Sequence, residues 1–189
     1  MPGSLRAFLD ASVLYPVSLR HLLMRLILAR LFQARWSAKV HEEWIRAVLR
    51  DNPSVPMARL HGLRDAMDEQ AQDSVVTGYE DLIDTLTLPD PDDRHVLAAA
   101  IVSQADVIVT RNMRDFPDAA LGPYSVEAQH PDQFIRRLLD LAPEAVVDAV
   151  RKQQASLVNP PVAMRELLAL LERLDLAETA AELRRLTGN

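Results

Sequence analysis

Residues 105–110, Ala-Asp-Val-Ile-Val-Thr, are a short run dominated by β-branched side chains. A run this apolar does not suit a sheet edge and reads as an interior strand of a parallel sheet, covered on both faces. The segment before it is equally constraining. Asp90-Pro91-Asp92-Asp93 leads into Arg94-His95-Val96-Leu97-Ala98-Ala99-Ala100-Ile101. Asp90 is a natural N-cap, Pro91 suits the first helical position, and the further acids complement the positive end of the helix dipole. The Ala-rich remainder lets this helix approach its neighbours closely.

The same alternation extends over the first 128 residues. Ala7-Phe8-Leu9 predicts a short buried strand ending near Asp10. Residues 18–31 predict an amphipathic helix, with Leu19, Leu22, Leu23, Leu26 and Ile27 on one face and Arg20, His21 and Arg25 on the other. Trp36-Ser37 is expected to open a second helix to about Arg50, with Ser37 as its N-cap, and Pro56 to about Gln72 a third. Val75-Val76-Thr77 reads as a strand closed by Gly78, and Tyr124 to Glu127 as a last strand. Strand–helix alternation of this kind predicts an α/β fold, an open parallel sheet flanked by helices. Beyond Pro131 only periodic apolar helices follow, punctuated by Pro143 and Asn159-Pro160-Pro161. The expected organisation is therefore an α/β domain over residues 1–130 and an all-helical C-terminal extension over 131–189. Truncation near Pro143 is expected to leave a soluble yet less stable fold.

Composition removes several classes of function. The 189 residues contain no cysteine, which excludes disulfides, thiolate metal sites and cysteine nucleophiles. No apolar run reaches the ~18 residues that a membrane span needs, and the closest, Leu22 to Leu31, is broken by Arg25 and Arg30. Asp10 stands where a signal peptide would be apolar, so the expected location is cytoplasmic. The net charge of −6 hides a segregation: residues 17–50 hold seven Arg or Lys against two Glu, and residues 51–128 hold five Arg against fifteen Asp or Glu. That division suits a site holding cations in one place and phosphates in another.

Open α/β sheets bind ligands at the carboxyl ends of their strands. Asp10 follows the first strand, Asp93 heads the helix that feeds the 107–110 strand, and Asn112 and Asp115 lie just after that strand. Several carboxylates at one rim repel each other unless some are protonated or a divalent cation holds them. Oxygen ligands without His or Cys spacing suit Mg²⁺ or Mn²⁺. A bound ion of this kind activates water and stabilises a phosphate under attack. These residues alone do not choose among Asp90, Asp92 and Asp93, and they give Glu43 no position. Arg35, Lys39 and Glu43 are spaced by four, so on one helix they share a face. On that ground Arg35 and Lys39 are expected to contact phosphates beside the site.

The run Phe8-Leu9-Asp10-Ala11-Ser12-Val13-Leu14 resembles the opening of PIN domains, and Trp36-Ser37 followed by Glu43-Trp44 resembles their second acidic segment. Leu88 to Ala100 and Val109-Thr110-Arg111-Asn112-Met113-Arg114-Asp115-Phe116-Pro117 are similar to the third and fourth acidic segments of one subgroup. The order of the segments, spread over residues 5–135, makes the resemblance specific to PIN-domain ribonucleases like the VapC toxins of bacterial toxin–antitoxin pairs. It implies a metal-dependent RNA endonuclease. Asp10 and Asp93 would bind the metal, Glu43 would orient or deprotonate the attacking water, and Asp115 would be the fourth acid. Ser12, Thr110 and Asn112 would face substrate. Asn112 departs from the Asp that many members place there, and a neutral amide favours one tight metal over two. The family also implies an RNA substrate, a cognate antitoxin that covers the acids, often with an arginine, and self-association as a homodimer.

The alternative is a non-catalytic PIN-fold module that holds RNA or protein; the intact acids at 10, 43 and 93 speak against it. An aspartyl-phosphate phosphatase would want a second acid two residues after Asp10, where this chain has Ser12. His95, two residues from Asp93, reads as a packing residue or a support to the acids. The five histidines show no ligand spacing that would suit zinc.

Overall fold

The computed structural model describes residues 5–188. In chain order the elements are β1 (Arg6–Leu9), α1 (Ala11–Leu14), α2 (Val17–Leu28), β2 (Gln33–Ser37), α3 (Ala38–Asp51), α4 (Met57–Gln70), β3 (Val75–Val76) and α5 (Glu80–Ile83). They continue with α6 (Arg94–Val102), β4 (Val107–Val109), α7 (Asp118–Leu121), β5 (Glu127–Gln129), α8 (Pro131–Leu141), α9 (Pro143–Ser156), α10 (Met164–Arg173) and α11 (Ala177–Thr187). The chain divides into two compact units. Among the described residues, one comprises the chain up to Tyr15 together with Phe32–His130; the other comprises Pro16–Leu31 and the described residues from Pro131 onward. Among the described residues no helix is long and apolar enough to cross a membrane.

The first unit is an α/β layer structure. Its five strands pair in parallel in the order β3-β2-β1-β4-β5. Ala7, Phe8 and Leu9 of β1 and Val107, Ile108 and Val109 of β4 are essentially inaccessible, as expected of strands covered on both faces. α6 buries His95 through Ala100, and its alanines bring its backbone close to the sheet. Parallel strands point their carboxyl ends at one edge, so Asp10, Thr110 and His130, which follow strand ends, and Ser37, which closes β2, share the same rim.

Two strands differ from the sequence expectation. Trp36-Ser37 does not open a helix: it ends β2, and Ser37 then caps α3 by accepting from the Val40 amide at 3.3 Å. Nothing local marks Gln33 to Ser37 as extended; β1 and β3 on either side supply its backbone partners. The last strand lies at Glu127–Gln129 rather than Tyr124–Glu127, because Gly122–Tyr124 forms a 3-10 turn and Ser125 is left-handed at φ 56°.

A buried polar chain fixes α3 in this unit. The Trp44 indole donates to His41 Nδ1 at 2.9 Å, and Trp36 Nε1 donates to Asp68 Oδ1 at 2.8 Å. His41 Nε2 meets the same Asp68 oxygen at 2.9 Å. With Nδ1 accepting, the ring carries its proton on Nε2 and donates to the carboxylate. Burial holds the His41 pKa below its ordinary value, with Asp68 opposing that shift.

The second unit is all helical and includes α2. Leu19, Leu22, Leu23 and Leu26 of α2 are fully buried, α2 packs with α9 and α10, and Gln153 Nε2 donates to the Ser18 carbonyl at 2.9 Å. Residues 16–31 thus belong with the C-terminal helices, whereas the sequence reading had them inside the first domain. Helical periodicity shows that α2 has an apolar face, but not which layer covers it. Arg20, expected on the polar face, is only 6% exposed, and burial lowers its pKa to about 10. In the same unit Asp132, on the first turn of α8, caps α11. Its carboxylate accepts from the Glu178 and Thr179 amides at 3.0 and 2.8 Å.

Candidate active site

Asp10 is the residue after β1, and its amide donates to the Val109 carbonyl at 3.1 Å, which aligns it with the end of β4. It stands at the N-cap position of α1, yet its side chain makes no capping bond. Instead Asp10 Oδ2 accepts from Ser12 Oγ at 2.6 Å and from Thr110 Oγ1 at 2.8 Å. Each hydroxyl is itself oriented by a backbone amide: Arg111 N–H donates to Ser12 at 3.0 Å and Asn112 N–H to Thr110 at 3.0 Å. A hydroxyl whose oxygen accepts an amide hydrogen directs its own hydrogen elsewhere, here to the carboxylate. Asp10 is 4% exposed.

Asp93 differs from its neighbours in the surroundings of its carboxylate. Asp90 caps the turn, accepting from the Asp92 amide at 2.9 Å, and Asp92 is exposed. Asp93 heads α6 without capping it. Its pKa is raised from 3.8 to about 7, first by burial and then by the charges of Asp10, Asp115, Asp90 and Glu43. The charges that raise it are all carboxylates. This field brings together the acids of four separate segments: the end of β1, α3, the start of α6 and the 3-10 turn Met113–Asp115. Glu43 reaches the rim from α3, with Oε1 2.8 Å from His95 Nε2.

The remaining expected residues fall differently. Ser12 and Thr110 direct their hydroxyls to Asp10. Asn112 is exposed and supports Thr110 through its amide. Lys39 is exposed on α3, four residues before Glu43. Arg35 is not on that helix, so the shared-face argument fails for it. It lies in β2, its guanidinium turns back to the Ala34 carbonyl and the Gln33 side chain at 2.8 and 3.2 Å, and the charges that act on it are those of Arg6 and Asp73. Arg6 and Asp73 begin β1 and precede β3, on the edge opposite the acids. Sequence reasoning did not anticipate the hydroxyl clamp on Asp10; its only local signal is a Ser two residues after the acid and a Thr ending the partner strand.

Among the described residues, no three acidic or histidine side chains converge tightly enough to encircle an ion. The donor set nevertheless fits a hard divalent cation. It consists of carboxylates under mutual repulsion, and Mg²⁺ retains several waters and needs only one or two of them as direct ligands. A cavity of about 730 Å³ opens between α3 and α4 over Ile45, Leu49 and Met57, and none of the four acids lines it. That cavity's lining carries Glu42, Asp65 and Asp68 against Arg46, Arg50 and Arg64, whereas the rim around Asp93 is acidic.

Comparison with known proteins agrees with this geometry. A PIN domain family model matches residues 6–114, and a model described as the VapC50 C-terminal domain matches residues 131–185. A Mycobacterium tuberculosis protein named "Putative ribonuclease VapC50" is 42% identical over 109 residues, which is 58% of this chain and 63% of that relative. The match thus spans less than two thirds of the relative's length. No solved structure matches. With parallel β-strands delivering acids to one rim and the family model covering more than half of the sequence, this chain belongs to the PIN domain family.

Proposed function

We propose that this protein is a metal-dependent RNA endonuclease acting in the cytoplasm as the toxin of a toxin–antitoxin pair. The observation that carries the reading is the field at Asp93, where burial and four neighbouring carboxylates raise the pKa to about 7. Like charges gathered at a rim oppose folding unless a cation joins them, so a bound ion gives the arrangement its purpose. The name of the M. tuberculosis relative, "Putative ribonuclease VapC50", points the same way.

In this reading Asp10 and Asp93 hold Mg²⁺ or Mn²⁺. When bound, the ion supplies a lowered pKa for its water and neutralises charge on the phosphate. Ser12 and Thr110 hold one oxygen of Asp10 and leave Oδ1 for the ion. Glu43 orients the attacking water and takes its proton, and Asp115 completes the acidic cluster. Water attacks phosphorus, the bond to the 3′ oxygen breaks, that oxygen takes up a proton from solvent, and the products are a 5′-phosphate and a 3′-hydroxyl. Lys39 contacts RNA phosphate beside the acids.

The same acids explain the proposed antitoxin. A guanidinium inserted by a partner protein would satisfy two carboxylate oxygens at once and compete with the ion. Self-association into a homodimer belongs to this proposal as well.

The test is cleavage of a generic RNA by the purified chain with Mg²⁺, with Mn²⁺ and with excess chelator, and mapping of the ends. Cleavage is expected only with metal, and Asp10→Asn and Asp93→Asn are expected to abolish it. Cleavage undiminished by chelator would overturn the metal mechanism. RNA or protein binding with no cleavage under any condition would establish the non-catalytic module instead.

A further inference from the structure

His95 is the second residue of α6, is 1% exposed, and places Nε2 2.8 Å from Glu43 Oε1. A bare nitrogen lone pair would repel a carboxylate oxygen at that distance, so Nε2 carries a hydrogen in whichever charge state the ring adopts. The approach is not aligned as a straight hydrogen bond, and buried Nδ1 has no partner either. Burying an imidazole with its nitrogens imperfectly satisfied opposes folding, and an apolar side chain of similar size would fill the space without that cost. Something other than packing therefore accounts for a histidine here. Among the described residues, no other side chain hydrogen-bonds or ion-pairs with Glu43.

We infer that His95 is a positioning residue for Glu43: by engaging Oε1 it ties α3 to the start of α6, fixes the carboxylate's rotation, and leaves Oε2 to face the rim beside Asp93. Without it Glu43 is a three-torsion side chain on a half-exposed helix face, free to sample orientations useless for directing a water. The inference rests on the nuclease reading of the rim, but the contact itself does not.

The experiment has two arms. The first uses metal-free protein and reads the imidazole ¹⁵N signals of His95. A ring protonated at Nε2 is expected, with signals that move in Glu43→Gln and stay in place in Glu42→Gln. A ring protonated at Nδ1 alone, or signals indifferent to Glu43→Gln, would overturn the inference. The second arm compares His95→Leu with His95→Gln in RNA cleavage. His95→Leu is expected to lower kcat by about 10–100-fold with KM unchanged. His95→Gln, whose amide hydrogen can reach the same carboxylate, is expected to recover most of the rate. In a Glu43→Gln background His95→Leu should subtract nothing further. A KM effect instead of a kcat effect, no recovery with Gln, or losses that multiply with Glu43→Gln would each sink the positioning role. A wild type that cuts no RNA removes the nuclease reading, and the NMR arm then decides the hold of His95 on Glu43 by itself.

Discussion

Thr110 lies one hundred residues from Asp10 in sequence, and its hydroxyl donates to Asp10 Oδ2 across 2.8 Å while accepting the Asn112 amide at 3.0 Å. Two adjacent parallel strands, β1 and β4, end side by side, and that adjacency turns a strand-terminal threonine into an anchor for a carboxylate. Hydrogen bonds to a charged group are worth about 1.5–3 kcal/mol net. Thr110→Val keeps the shape and removes the donor. It is expected to destabilise the protein by about 1–3 kcal/mol in urea melts, and to reduce cleavage further than instability explains. Thr110→Ser, which retains the hydroxyl, should stay close to wild type. If Val and Ser variants behave alike, the hydroxyl does not hold Asp10.

Asp93 makes the stability of the metal-free protein depend on pH in a defined direction. Its folded pKa of about 7 lies above the 3.8 of the unconstrained group, so the folded chain keeps a proton that the unfolded chain releases. The stability associated with this proton is fully present below pH 3.8 and is lost as pH rises towards about 7. Screening at a partly exposed rim limits the effect to about 1–2 kcal/mol. Chelator-treated Asp93→Asn should therefore be more stable than wild type at pH 8, with the gap closing at pH 5. A gap that widens towards low pH would contradict the assignment. Asp10→Asn should show no such gain, because Asp10 is satisfied by two hydroxyl donors.

Lys39 and Arg35 separate two accounts of where RNA lies. For single-stranded nucleic acid the log–log salt slope is about −0.7 per phosphate neutralised. In an uncleavable Asp10→Asn background, Lys39→Gln is expected to make the slope shallower by about 0.7. Arg35→Gln is expected to leave it unchanged, since Arg35 is engaged with Ala34 and Gln33 on the far edge. Fluorescence anisotropy of labelled RNA across a salt series distinguishes them, and the reverse pattern would move the RNA path to the other side of the sheet.

Truncation before Pro143 tests the division of the chain. α2 packs with α9 and α10, so the deletion strips partners from Leu19, Leu22, Leu23 and Leu26, which are fully buried in the intact chain. Each buried leucine is worth roughly 1.5–3 kcal/mol. The truncated protein is therefore expected to aggregate on size exclusion, contrary to the soluble product that the sequence alone led us to expect. A monodisperse product would mean that α2 finds cover elsewhere.

The α/β class, the parallel sheet, the buried strand at Val107–Val109, the cap at Asp90 and the helical run after Pro131 were all legible in the sequence. Each depends on local physics: β-branched runs, helical periodicity, and the preference of Asp and Pro for a helix start. Asp10 and Asp93 could be placed at the rim from the sequence, their metal-binding roles came from the resemblance and belong to the proposal, and the structure adds that Asp90 caps the turn while burial and neighbouring carboxylates act on Asp93. Three features belonged to tertiary structure alone. β2 is a strand because β1 and β3 pair with it, so Arg35 leaves the helix on which spacing had put it. α2 joins the C-terminal helices because an apolar stripe states that it must be covered, not by what. The Thr110 clamp on Asp10 and the His95 contact with Glu43 link residues 100 and 52 positions apart, and periodicity, which sees only neighbours, carries no information across such distances.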